Sequence, residues 1–142
     1  MTQVQNMTDQ QLNRALAVLM YNARVCGRDT DSRVVIMGDF GEYNTHPLTG
    51  GWRTAVWRAT EEEAWADIPN YSGDPAASLE VQAAAIAKDV DAYLSNLFDE
   101  TCDPDKPIWT SKVVGRMMTA SHRERAMAAY QVLKDHTATG YA

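Results

Sequence analysis

The stretch YSGDPAASLEVQAAAIAKDVDAYLSNLF, residues 71–98, constrains the fold of this chain more than any other segment. No glycine or proline follows Pro75 in it, so nothing interrupts a helix once one has started. Asp74 suits the N-cap, where its side-chain oxygen can accept the unpaired N–H groups of the first turn. Pro75 suits the first helical position, where no N–H is needed. Leu79, Ala83, Ile86, Val90, Tyr93 and Leu97 recur at three- and four-residue spacing, and Ala87 and Leu94 widen the stripe. That stripe is the predicted core face. The opposite side is small: Val81, Ala84, Ala85 and Ala92 lie around Lys88. Two readings stay open for it, solvent-facing alanines of high helix propensity or a close helix–helix contact, within the monomer or across a dimer.

Similar local signals place the other elements. Residues 7–21 read as a first helix, with Thr8 and Gln11 as a capping box and Leu12, Ala15, Leu16, Leu19 and Met20 as its buried stripe. Residues 22–31 are polar, with Gly27 as the expected stop. RVVIM at 33–37 is short, apolar and β-branched, a strand closed by Gly38. Residues 42–51 form a loop by their Asn, Pro and Gly content. WRTAVWR at 52–58 alternates as a second strand, TEEEAW is a helical turn, and IWTSKVV at 108–114 is a third strand. Ser121 and Glu124 box the last helix, whose core stripe is Ala126, Ala129, Tyr130 and Leu133, before a frayed tail at 136–142. The order α-β-β-α-β-α predicts an α+β fold: a small layered sandwich of three helices and a short three-stranded sheet. At 142 residues this is one domain, 1–142, with exposed sheet edges that favour a homo-oligomer.

Composition excludes some classes. With 45% hydrophobic and 23% charged residues the chain is an ordinary globular one, not a disordered one. No apolar run reaches membrane-spanning length and the N-terminus is too polar for a signal peptide, which predicts a cytoplasmic protein without a membrane partner. Cys26 and Cys102 match no metal or redox spacing, and free thiols are expected. The net charge of −6 is unevenly spread. Residues 1–58 carry six basic and five acidic side chains, 59–105 one and twelve, and 106–142 six and two. Either these charges form a solvated surface and pair with one another, or the molecule has an acidic and a basic face. An acidic face would repel nucleic acid or imitate it, and a basic one would hold phosphate.

Two segments carry a resemblance. WADIPNYSGDPAASLEVQ, an aromatic–Pro–x–Tyr–Ser–x–Asp–Pro lead into an Ala/Leu helix, is similar to the signature of the small phage α/β/α-sandwich ("phage ABA sandwich") proteins. MTASHRERAMAAYQVLK resembles that family's closing pattern, a Thr and a short cap before an Arg-containing, Ala-rich helix. The chain departs from the pattern in an insert at 39–51 and an acidic connector at 99–105. The resemblance implies a bacteriophage or prophage accessory protein acting against host defence. It would sequester a nucleotide second messenger or block a host defence protein, in the cytoplasm of the bacterial host.

Chemistry-bearing residues are sparse. GDFG at 38–41 shares only its letters with a kinase metal loop, and no phosphate loop or catalytic loop accompanies it. RDTDSR at 28–33 lacks the glycine and closing glutamate of a calcium loop. His46, His122 and His136 are too scattered for metal-ligand spacing, and no nucleophile elbow is present. A non-catalytic protein without cofactor or metal is the expectation. Arg116, His122, Arg123 and Arg125 gather at the start of the last helix, where free N–H groups also favour an anion, and Trp52, Arg53, Trp57 and Arg58 offer stacking. These residues suggest a site for a small phosphorylated ligand, although the arginines would equally serve as partners for the acidic block. The alternative is an inhibitor whose acidic face imitates nucleic acid before a host nuclease or CRISPR complex. That face would comprise Glu61, Glu62, Glu63, Asp99, Glu100, Asp103 and Asp105. A third reading is a ligand-free phage structural or regulatory protein.

Overall fold

The structure, a computed structural model, describes residues 6–103 and 110–139, with side chains to residue 135. It is a mixed α+β fold. Among the described residues there are five α-helices, one short 3-10 turn and a two-stranded antiparallel sheet. The chain packs as two compact units, one of Asn13–Pro69 and one of Met1–Leu12 with Asn70–Ala142. No helix among the described residues is long and apolar enough to cross a membrane.

Helix α1, Asp9–Tyr21, starts at the expected capping box: the Gln11 N–H donates to Thr8 Oγ1 at 3.1 Å and the Thr8 N–H to Gln11 Oε1 at 2.9 Å. It ends at Tyr21, as predicted, and its stop is Asn22 and not Gly27. Asn22 takes a left-handed conformation (φ 53°), and its N–H donates to the Val18 carbonyl at 3.1 Å. Arg24–Gly27 then form a strand, β1, where the sequence predicts a polar connection. β1 runs antiparallel to β2, Val34–Met37, with Arg24 opposite Met37 and Gly27 opposite Val34. The core of this unit is Leu16, Ala17, Ala23, Val35, Ile36, Met37 and Ala64. Helix α2, Glu61–Trp65, is capped by Thr60 and packs against β2.

The second strand expected at 52–58 does not form. Trp52–Thr54 is a 3-10 turn, and only Arg58 bridges Val34, through N–H···O contacts of 2.9 and 2.7 Å. The turn wins because Thr54 Oγ1 donates to the Thr49 carbonyl at 2.8 Å and folds the segment back on its own loop. The insert at 39–51 is a compact loop. Thr45 Oγ1 lies against the carbonyls of Gly38, Phe40 and Glu42, and Gly41 and Gly50 take left-handed conformations (φ 88° and 93°).

In the other unit, α3, Pro75–Thr101, begins as expected: Asp74 caps it, its carboxylate accepting the Ala77 N–H at 2.9 Å. The buried face is the reverse of the expected one in the first half. Ser78, Val81 and Ala85 are buried, whereas Leu79, Ile86, Val90 and Leu94 are exposed and only Tyr93 and Leu97 of the long stripe are covered. The reason is the partner helix. α5, His122–Thr139, presents Ala126, Ala128, Ala129 and Val132, and small residues on both helices let their axes approach closely. The Ala-rich side of α3 is therefore a helix–helix contact within the monomer. Asp89 interrupts α3 with non-helical φ and ψ (−162°, 95°), and its carboxylate caps the second half by accepting the Ala92 N–H at 3.0 Å.

The third strand is also corrected. Residues 111–118 form a helix, α4 (Ser111–Met118), because Thr110 Oγ1 accepts the Val113 N–H at 3.3 Å and Met117, four residues on, is buried. Ile108 and Trp109 lie outside the described residues; of the tail expected to fray at 136–142, residues 136–139 instead continue α5 to Thr139, and 140–142 lie outside the described residues.

Candidate functional site

The exposed chemistry of the 13–69 unit gathers around two tryptophans. Trp52 sits on the 3-10 turn and is 44% exposed, and its ring centroid lies 6.0 Å from that of Trp57 with the planes tilted by 33°. The Arg28 guanidinium lies 4.4 Å over the Trp57 ring. Arg28 is itself oriented by Asp31, to which it donates from Nε at 2.9 Å and from Nη2 at 2.7 Å. That bidentate pair raises Arg28 and pulls the Asp31 carboxyl down to about 2. Arg53, next to Trp52, is exposed and makes no ion pair among the described residues. The result is a ledge of two indoles with one guanidinium stacked on it, and with exposed Arg53 next to Trp52 in the chain.

The same unit holds a buried polar clamp. His46 is 2% exposed, and its Nδ1 accepts from the backbone N–H groups of Leu48 (3.2 Å) and Thr49 (3.3 Å). The proton therefore belongs on Nε2, which faces Asp67 Oδ2 at 3.7 Å and has no hydrogen-bond partner among the described residues. Asp67 is held from the other side by Arg58, through Nε at 3.0 Å and Nη2 at 2.8 Å, and this pairing raises the guanidinium. Burial lowers the His46 pKa, Asp67 opposes the shift and Arg58 adds to it. A neutral imidazole with its acceptor committed to backbone is a brace for the 46–50 turn. Arg58 thus serves this clamp and does not stack on the tryptophans.

The cationic residues of the other unit are engaged locally. Arg116 donates to Glu124 Oε2 at 3.0 Å, and Glu124 also accepts the Ser121 N–H at 2.8 Å. Burial works against ionisation of Glu124, but Ser121 and Arg116 outweigh it and hold the carboxyl below its usual range. Arg123 pairs with Asp9 and donates to the Met7 carbonyl at 2.6 Å. His122 Nδ1 lies 3.3 Å from the buried Ser78 Oγ and 3.4 Å from Arg125, which also reaches the Met118 carbonyl. Nearby, Tyr93 donates to Gln82 Oε1 at 2.8 Å, and burial pushes its phenol up to about 12.

The proposed ligand residues thus belong to two different units. Trp52, Arg53 and Trp57 are in one, with the first and last in ring contact, and Arg116, His122, Arg123 and Arg125 cluster in the other. The acidic residues divide the same way. Glu61, Glu62 and Glu63 are exposed on the first turn of α2, whereas Asp99 and Glu100 lie in the last turn of α3, Asp103 follows it, and Asp105 lies outside the described residues. Sequence reasoning missed Arg28 and the clamp. Arg28 stands 29 residues before Trp57 and His46 stands 21 before Asp67, so no local spacing announces either contact. Cys26 and Cys102 are both free thiols. Comparison with protein-family models, with curated proteins and with solved structures finds no match.

Proposed function

We propose that this chain is a non-catalytic binding protein that captures a small phosphorylated ligand with a planar ring, such as a nucleotide second messenger, on its tryptophan ledge. The observation that carries the reading is the pairing of exposed Trp52 with half-buried Trp57 at 6.0 Å, with Arg28 stacked on Trp57. A base has a π-face and stacks on an indole whatever its sequence identity, and Arg53, exposed beside Trp52 in the chain, is the cation this reading assigns to the phosphate. The reading gives no ligand contact to Arg116, His122, Arg123 or Arg125, because their polar groups already hold the α4–α5 region together. The resemblance of residues 65–82 and 118–134 to phage α/β/α-sandwich proteins supports a counter-defence role in the cytoplasm of a bacterial host. Sequestration of a host signal is the form such a role takes with a ligand site of this kind.

Native mass spectrometry with a panel of cyclic nucleotides, followed by titration on tryptophan fluorescence, tests the proposal. Binding should quench the emission. Trp57→Ala should weaken it by about fivefold to a hundredfold, the range of one lost base–aromatic stack. Absence of binding across the panel, or unchanged affinity in the Trp57→Ala and Arg53→Glu variants, refutes the assignment. The second reading, an acidic inhibitor of a nuclease complex, draws its support from the exposure of Glu61, Glu62 and Glu63 on one capped turn. It requires partner binding that weakens steeply with salt.

A further inference from the structure

The turn that joins β1 to β2 holds an anion of its own. Arg28 donates to the Asp31 carboxylate from Nε at 2.9 Å and from Nη2 at 2.7 Å, and the Arg33 N–H donates to Asp31 Oδ1 at 3.2 Å. Arg33 Nε lies 3.6 Å from Asp31 Oδ2. One carboxylate thus engages two guanidinium groups and a backbone donor. The turn keeps both arginines close: the Arg28 N–H donates to the Arg33 carbonyl at 3.2 Å, and Ser32 takes a left-handed conformation (φ 58°). Forked guanidinium N–H groups with a main-chain N–H are also the donors that a phosphate takes.

Two observations make the carboxylate exchangeable. The side chains of Arg28, Asp31 and Arg33 are 40%, 37% and 50% exposed. An ion pair so open to water shifts an equilibrium by about fivefold or less. Arg28 also has a second hold, because its guanidinium lies 4.4 Å over the Trp57 ring and stays stacked there when Asp31 lets go. A phosphate group brings more negative charge and one more acceptor oxygen than the carboxylate it would replace. We propose that Arg28 and Arg33 form a phosphate subsite of the tryptophan ledge, additional to Arg53, and that Asp31 is its built-in competitor, displaced by the ligand phosphate. Trp57 joins the two parts, in ring contact with Trp52 and stacked against Arg28. The inference rests on the reading of this ledge as a site for a phosphorylated ligand, and adds what occupies the arginines before the ligand arrives. Apparent affinity falls with the fraction of molecules whose arginines are free. Removing the competitor should therefore tighten binding by about twofold to sixfold, for an exposed pair of ordinary strength.

Inorganic pyrophosphate, which has no ring to stack, reads the arginines apart from the indoles. Titrated into the full chain, it should shift the Nε–H NMR signals of Arg28 and Arg33. Asp31→Asn should tighten its binding about twofold to sixfold. The asparagine oxygen still accepts the Arg33 N–H, so the turn and the thermal melt are kept. Asp29→Asn removes the same charge from the same exposed turn without freeing Arg28, and should change the affinity by less. Arg28→Gln with Arg33→Gln should abolish binding. Unchanged or weaker binding in Asp31→Asn makes Asp31 a positioning residue and overturns the proposal. An equal gain in Asp29→Asn reduces the effect to net charge and overturns it as well. Absence of pyrophosphate binding in both the wild type and Asp31→Asn removes the subsite and leaves the ledge to the nucleotide titration. Pyrophosphate binding without nucleotide binding supports the arginine site and refutes the ledge.

Discussion

Replacing His46 separates its role as a brace from any role as a titrating group. Its Nδ1 accepts from two backbone N–H groups, Leu48 at 3.2 Å and Thr49 at 3.3 Å, and its ring is almost fully buried. His46→Ala leaves both donors without that acceptor, at about 1 kcal/mol each, and with about 1 kcal/mol of lost ring burial the cost is about 3 kcal/mol. In His46→Asn the amide oxygen occupies nearly the place of Nδ1, so the variant should recover about half of that loss. Burial lowers the His46 pKa in the folded state, so below neutrality the unfolded chain takes up the proton first. The stability this neutral histidine preserves is complete above about pH 6.5 and falls as the pH drops from there towards the lowered folded value, by at most about 1.4 kcal/mol per pH unit. Urea unfolding followed by tryptophan emission reads the effect, since Trp52, Trp57 and Trp65, three of the four tryptophans, lie in Asn13–Pro69. If His46→Asn is as damaging as His46→Ala, or keeps the wild-type slope between pH 7 and 5, the assignment of the proton to Nε2 and the bracing role are both refuted.

Two further predictions follow from the packing. A Cβ at Gly38 would stand 2.7 Å from the Tyr21 carbonyl oxygen and 2.7 Å from Phe40, so Gly38→Ala should cost about 1–3 kcal/mol in the same assay, and a neutral result would refute the close approach. Arg116→Glu with Arg123→Glu should lower the melting temperature by several degrees, since it sets like charges against Glu124 and Asp9 at about 1–2 kcal/mol in total. An unchanged melt, which the reading of these arginines as a free anion site would require, refutes their structural role.

What could be read from the sequence alone shares one property: each signal closes within a few residues. The Thr8–Gln11 and Ser121–Glu124 boxes, the Asp74 cap before Pro75, the Thr60 turn and the strand at Val34–Met37 are all where the residues put them, because their hydrogen bonds or periodicities are local. The mixed α+β class follows from the same signals. Tertiary structure decided the rest. Alternation at 52–58 is equally compatible with a strand or a turn, and the choice fell to Thr54 and the 46–50 loop. β1 exists because Asn22 ends α1 and a β-branched neighbour at 34–37 is available to pair with it. Periodicity showed that α3 has an apolar and a small face but not which one would be buried. That depended on α5, whose alanines reward close approach over bulk, and the consequence is that Leu79, Ile86, Val90 and Leu94 are left exposed. The tryptophan ledge and the histidine clamp were likewise invisible in one dimension. Their residues meet only when the chain folds back across twenty or more positions, and contacts of that separation leave no periodic trace.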